Sequence, residues 1–247
     1  MEVHHHPHLE KKSFKEYLLE GLMIFFAVSM GFIAENIREF ISDNAKEKEF
    51  IESILEDLKE DQKSFTSTIN YFTERTLMTD SLIHLINTEY PIKNTRDFYY
   101  WAKLIPRYML VIVNTATVDE LKYGSNFRLI RKKHLAKKII EYYNQIPNLI
   151  EFEARISQMD WDFRHGLSEI LDASVLSNME GINNPIHKLA INPPLRSQSK
   201  ENLSKIANYG HGMLNIRLAL QQTVKEMQEN GKNLVQLIRQ DYHIQNE

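Results

Sequence analysis

Apolar positions along this chain fall into patterned stretches separated by short polar or proline-containing breaks. The first stretch, Leu18 to Ala34, is apolar on every side and reads LLEGLMIFFAVSMGFIA, with Glu20 as its only charge. Neither glycine nor proline occurs from Phe32 to Tyr90, so nothing marks an end to a helix begun there. The spacing then alternates between three and four residues through Leu55, Leu58, Gln62, Phe65, Ile69, Phe72, Thr76, Thr79, Ile83 and Ile86. That rhythm predicts a helix with one buried face, stopping before Pro91.

A second, shorter helix is expected from Asn94 or Thr95 through Phe98, Trp101, Leu104, Met109 and Val113, kinked at Pro106. Thr117-Val118-Asp119-Glu120 has the form of a capping box, opening a short helical turn that ends near Gly124. The next seam runs Leu135, Ile139, Tyr142, Ile146, Leu149, Glu153, Ile156, Asp160, Phe163, Leu167 and Ile170, with Pro147 bending or dividing its helix. Ser174 to Ser199 is polar and carries Asn183-Asn184-Pro185 and Asn192-Pro193-Pro194, a loop that is either a crossover or mobile. A last seam follows at Leu203, Ile206, Gly210, Met213, Arg217, Leu220, Val224, Met227, Gly231, Leu234 and Ile238. Gly210 and Gly231 sit on its apolar face, where a missing side chain lets a neighbouring helix come close.

These elements predict an all-α fold: an N-terminal transmembrane helix continuing into an elongated antiparallel bundle of three long helices plus one shorter helix. Residues 1–12 would form a flexible His-containing tail, 13–45 the transmembrane helix and juxtamembrane stalk, 46–241 the bundle, and 242–247 a second tail. Helices of roughly 40 residues reach ~60 Å, and alone they would expose their seams. They must pack on one another or on another copy of the chain.

As a helix, the Leu18–Ala34 run spans roughly 25 Å, slightly short of a ~30 Å hydrocarbon core. Phe14 and Tyr17 suit an interface, while Lys15 and Arg38 can snorkel to headgroups. Ser13-Phe14-Lys15-Glu16 matches a capping box and places the helix start just before the run. Two other readings compete: a signal peptide cut near Ala27-Val28-Ser29, and a buried core helix. Gly21, Ala27 and Gly31 are the small residues of the segment, and Ala27 and Gly31 are spaced to let two membrane helices approach. Lys11, Lys12 and Lys15 precede the segment and Arg38 follows it, which by the positive-inside tendency leaves the N-terminus in the cytoplasm. Lys46 and Lys48 narrow that asymmetry over a wider window.

Composition changes this picture little. The chain has 247 residues, a formal net charge of -3 and no cysteine, which excludes disulfides, thiolate metal sites and cysteine nucleophiles. The charge balance gives no overall attraction to nucleic acid.

His4, His5, His6 and His8 are the densest set of potential metal ligands, but they precede the first cap, are interrupted by Pro7 and have no nearby ordered carboxylate as a second shell. A flexible tail, partly cationic in mild acid, is the simpler reading. Arg128, Arg131, Lys132, Lys133, His134, Lys137 and Lys138 form the strongest basic patch, suited to phosphate, anionic lipid or an acidic partner. The bland reading is a solvated helix face, or pairing with the acidic stretch Glu47, Glu49, Glu52, Glu56, Asp57, Glu60 and Asp61. Asp160 and Asp162 would lie about 200° apart on a helix and cannot share a metal. Asp162 and His165 can meet as an i, i+3 surface pair. Tyr99-Tyr100-Trp101 and Tyr142-Tyr143 are aromatic-rich and read as core packing. No HExxH, GxSxG, Walker loop or GxGxxG is present.

The segments VHHHPH, EYLLEGLMIFFAVSMGFIAENIREF and EKEFIESILEDLKED resemble an uncharacterised family of Bacteroidota membrane proteins. TATVDELKYGSNFRLIRKKHLAKKIIEYYNQI is similar to a recurring segment there, departing from it at Tyr123, where a small residue is more usual. The resemblance implies a single N-terminal membrane helix followed by a helical domain, and brings no activity or cofactor. The expectation from all of this is a non-enzymatic, single-pass inner-membrane protein with a periplasmic bundle. It would act as an interaction, scaffold or accessory subunit with a protein partner or in a homo-oligomer. The alternative is a ligand-sensing bundle relaying through a partner, with a pocket near Trp101, Tyr142 or Arg128.

Overall fold

The computed structural model describes residues 13–180 and 185–245, and the fold is all-α. Helix α1 spans Phe14–Thr88, α2 Thr95–Leu104 and α3 Ala116–Tyr123; a 3-10 turn follows at Asn126–Leu129. Then come α4 at Lys133–Tyr143, α5 at Ile146–Ser168, α6 at Ala173–Ser177 and α7 at Lys200–Tyr242. The chain divides into two compact units, one ending at Phe50 and one beginning at Ile51, so α1 contributes to both. At the start of α1 the Ser13 amide donates to Glu16 Oε2 at 2.7 Å, one half of the expected capping box.

In the second unit, α1 buries Ile51, Ile54, Leu58, Asp61, Phe65, Thr68, Phe72, Arg75, Thr79 and Leu82. The expected seam shares only Leu58, Phe65, Phe72 and Thr79 with this face. Leu55, Gln62, Ile69, Thr76, Ile83 and Ile86 are half-buried beside it. The stripe is rotated because Ile54, Asp61, Thr68 and Arg75 occupy core positions where the expected seam took their neighbours Leu55, Gln62, Ile69 and Thr76.

Helix α7 runs antiparallel to this part of α1. Gln62 Nε2 donates to the Gln228 carbonyl at 3.0 Å, and Gln221 Nε2 to the Ile69 carbonyl at 3.1 Å. Every position of the predicted α7 seam is buried. Gly231 permits a close approach, since a Cβ there would lie 2.6 Å from Gln62 Nε2 and 3.3 Å from the Tyr142 ring. Gly210 is less demanding; its Cβ would meet Ile83 at an ordinary 3.4 Å. Helix α5 also packs antiparallel on α7, with Gly166 against Ile206 and Tyr209. The expected third long helix is divided: α4 ends before Asn144, and Pro147 sits in the first turn of α5, where its missing N–H costs nothing.

The shorter helix ends earlier than expected. α2 stops at Leu104, and Pro106 to Thr115 is non-helical, so Met109 and Val113 are not on a helix. Proline cannot donate the helical hydrogen bond, and the β-branched Val111, Ile112 and Val113 favour extended backbone. This segment returns along α1: Tyr71 Oη donates to the Arg107 carbonyl, Ser64 Oγ to the Ile112 carbonyl, and Asn114 N to Asp61 Oδ1. α3 begins at Ala116 rather than after Thr117, and no side chain caps it, so the predicted capping box does not form. Tyr123 is 88% exposed and leaves the following turn unobstructed.

The polar loop before α7 is a clasped crossover. Thr95 Oγ1 donates to the Pro193 carbonyl, Arg96 N to Asn192 Oδ1, Tyr99 Oη to the Pro194 carbonyl and Ile92 N to Gln198 Oε1. Asn183 and Asn184 lie outside the described residues. Around α2 a core forms from Phe98, Tyr99, Ile105, Phe163, Ile206 and Met213 with their neighbours.

Candidate functional site

In the first unit, the apolar segment of α1 keeps its side chains outward. Leu18, Leu19, Leu22, Met23, Ile24, Phe25, Phe26, Val28, Met30, Phe32 and Ile33 are all exposed, between 44% and 69%. The core-helix reading is therefore overturned, since none of the most apolar window is buried. Fully burying one such side chain contributes ~1.5–3 kcal/mol. Leaving this many in water forgoes more than the roughly 5–15 kcal/mol that holds a typical domain together. The segment is long and apolar enough to cross a membrane, as an anchor or as a signal sequence. Gly21 and Gly31 have open space where a Cβ would stand, and Ala27 is exposed.

The second unit holds its unusual chemistry inside. Where Pro106 ends α2, three successive carbonyls turn into the bundle and each meets a donor from a different helix. Ile105 O accepts from Arg217 Nη2 of α7 at 2.7 Å, Pro106 O from Arg164 of α5, and Arg107 O from Tyr71 Oη of α1 at 2.5 Å. Arg217 is 1% exposed, and its Nη2 also pairs with Asp160 Oδ1 at 2.7 Å. Burial pushes the Asp160 carboxyl up to about 6, against the attraction of Arg217 and Arg164. Arg75 lies 4.7 Å from the Tyr71 ring centroid.

A second polar node surrounds Asp61, which has no exposed surface. It accepts from Asn114 N at 2.8 Å and from Tyr142 Oη at 2.9 Å. Burial raises its carboxyl to about 6, although both donors pull the other way. The Tyr142 and Tyr143 phenols are also raised, chiefly by burial. Arg217, Asp160 and Asp61 are buried and tie helices together, whereas Arg164 is exposed and Tyr142 reaches a surface groove.

The predicted basic patch divides in two. Lys132 Nζ donates to the Asp241 carbonyl and lies 4.8 Å from the Tyr242 ring, while His134 Nε2 meets Asp241 Oδ2 at 2.7 Å. Both therefore clamp the last turn of α7, where the charge of Lys132 suits the helix dipole. Lys138 and Lys137 pair with Glu141 at 2.7 and 3.7 Å, not with the acidic stretch of α1. Arg128, Arg131, Lys133 and Lys137 line a surface groove of about 670 Å³ over Phe127, Ile130 and Ile140.

Trp101 packs against the core around α2, Tyr142 lines a separate groove with Asn230 and Asn233, and Arg128 lines the basic groove. Tyr142 and Arg128 thus line different grooves. Asp162 accepts from Gln158 at 3.3 Å, and His165 is exposed. Among the described residues no group of three or more His, Asp or Glu side chains is placed to hold a metal. His4, His5, His6 and His8 lie outside those residues. Sequence reading placed Asp61 in the acidic stretch and did not single out Arg75; only their spacing from Leu58 and Phe72 pointed inward. Compared with known proteins, the chain matches no family model, no curated protein and no solved structure.

Proposed function

We propose that this protein is a non-enzymatic, single-pass inner-membrane component whose helical bundle acts outside the cytoplasm as an interaction or scaffold subunit. The observation that carries the reading is the fully outward-facing apolar run of α1, which only lipid or another apolar helix can satisfy. Lysines before that run favour a cytoplasmic N-terminus and a periplasmic bundle. Arg217 pairs with Asp160 and the Ile105 carbonyl, and Asp61 accepts from Tyr142 and Asn114, which supports a packing role for these buried charges. The basic groove supplies a surface for an acidic partner. The resemblance to Bacteroidota membrane proteins is consistent with this placement.

Extraction of the full chain in mild detergent, followed by native sizing, tests the proposal. A discrete assembly containing either a second copy or a co-purifying chain is expected. Replacing Arg128 and Arg131 together by glutamate should dissociate an acidic partner. A strictly monomeric species with nothing bound would overturn the scaffold reading. Protease digestion of intact spheroplasts should cleave the bundle if it faces the periplasm.

A further inference from the structure

A cleft unrelated to the predicted basic patch opens between the end of α2, the C-terminal half of α5 and α6. Its volume is about 610 Å³, within the ~300–1,000 Å³ range of small-molecule sites. Ala102, Leu167, Leu171 and Leu176 give it an apolar lining, and Lys103, Arg164 and Arg196 bring three cations to it.

The two arginines are held in place by backbone carbonyls, and neither forms a direct ion pair with a carboxylate among the described residues. Arg164 donates to the Pro106 carbonyl, and Arg196 Nη1 to the Ser168 carbonyl at 3.4 Å. Arg196 is also pinned through its backbone, whose amide donates to the Ile170 carbonyl at 2.8 Å. Lys103 is spent differently, since it forms an ion pair with Glu180. Asp172 lines the same cleft, but its Oδ1 accepts from the Ser174 amide and hydroxyl at 2.8 and 2.6 Å. The residues that line the cleft thus carry more cations than carboxylates, which suits an anionic head.

We infer that this cleft binds a compact monocarboxylate with an apolar body. Its carboxylate would lie between the guanidiniums of Arg164 and Arg196, with the apolar part on Leu167, Leu171 and Leu176. Planar guanidiniums match a carboxylate in shape as well as charge, so the recognition is by hydrogen-bond geometry and not by field alone. This inference goes beyond the scaffold reading and does not depend on it.

The test uses the full chain in nanodiscs of zwitterionic lipid, titrated with hexanoate and followed by calorimetry. Hexanamide keeps the apolar body without the charge, and acetate keeps the charge without the body. Saturable hexanoate binding is expected, at least tenfold tighter than either control. Arg196→Gln should weaken it tenfold or more, in line with loss of a charge-assisted hydrogen bond. Ala173→Phe, at an exposed position of α6, should abolish it by filling the cleft. Both variants leave the buried polar nodes untouched, so helicity should match the parent. Absence of saturable binding, equal binding of hexanamide, or hexanoate affinity unchanged in both variants would overturn the assignment. None of these outcomes bears on whether the protein forms a membrane complex.

Discussion

Arg217 is almost fully buried, with Tyr71 and Arg75 nearby, and a charge is tolerated there because Asp160 and the Ile105 carbonyl both face it. Arg217→Met would leave a buried carboxylate and a buried carbonyl without their donor, a loss of about 3–5 kcal/mol. Urea unfolding of the full chain measures it. Adding Asp160→Leu should recover much of that loss, because the second unpaired charge is removed as well. Asp61 makes the opposite kind of prediction. Its folded carboxyl is raised from 3.8 to about 6, so the folded state binds the proton more tightly than the unfolded chain. Its contribution to stability is therefore complete below about pH 4 and lost as the pH rises through 6. Asp61→Asn should flatten the dependence of the urea midpoint on pH across that window. Spacing alone located Asp160 and Arg217 on seams, yet not their pairing, because 57 positions separate them along the chain. Asp61 and Arg75 were illegible for a different reason: the spacing was followed through Gln62, Ile69 and Thr76, one position beside the face that is buried.

Among the elements, α7 was the most legible, because its seam is uninterrupted and its start carries an ordinary cap. Ser199 Oγ accepts from the Asn202 amide at 3.2 Å, satisfying one orphan donor of the first turn. Ser199→Ala should cost about 1 kcal/mol, and Ser199→Asp should cost little, as read by thermal melting. The stretch after α2 was the least legible. Apolar spacing carried a helix through Met109 and Val113, but Pro106 and the β-branched run decided otherwise. Once helical bonding is lost, the freed carbonyls of Ile105, Pro106 and Arg107 need partners, and three helices supply them. The sequence contains the proline but gives no sign of where those donors lie.

At the scale of the molecule, the membrane reading rests on α1 alone. Replacing Phe25 and Val28 by arginine adds about 2.5–3.5 kcal/mol per residue to insertion at a helix centre. The double variant should move from the carbonate-resistant pellet to the soluble fraction. If both forms remain pelleted, the segment is not what holds the protein to lipid. Architecture was legible because burial leaves a period in the sequence, whereas partner choice depends on surface shape, which leaves none. Within the bundle, the Asp160–Arg217 contact sets how α5 and α7 can slide. A shift of one heptad would bring Asp160 opposite Gly210 or Val224, where no cation waits. A tug applied along α7 would thus be handed to α5 without slippage, as between toothed racks, and not dissipated at a greased interface.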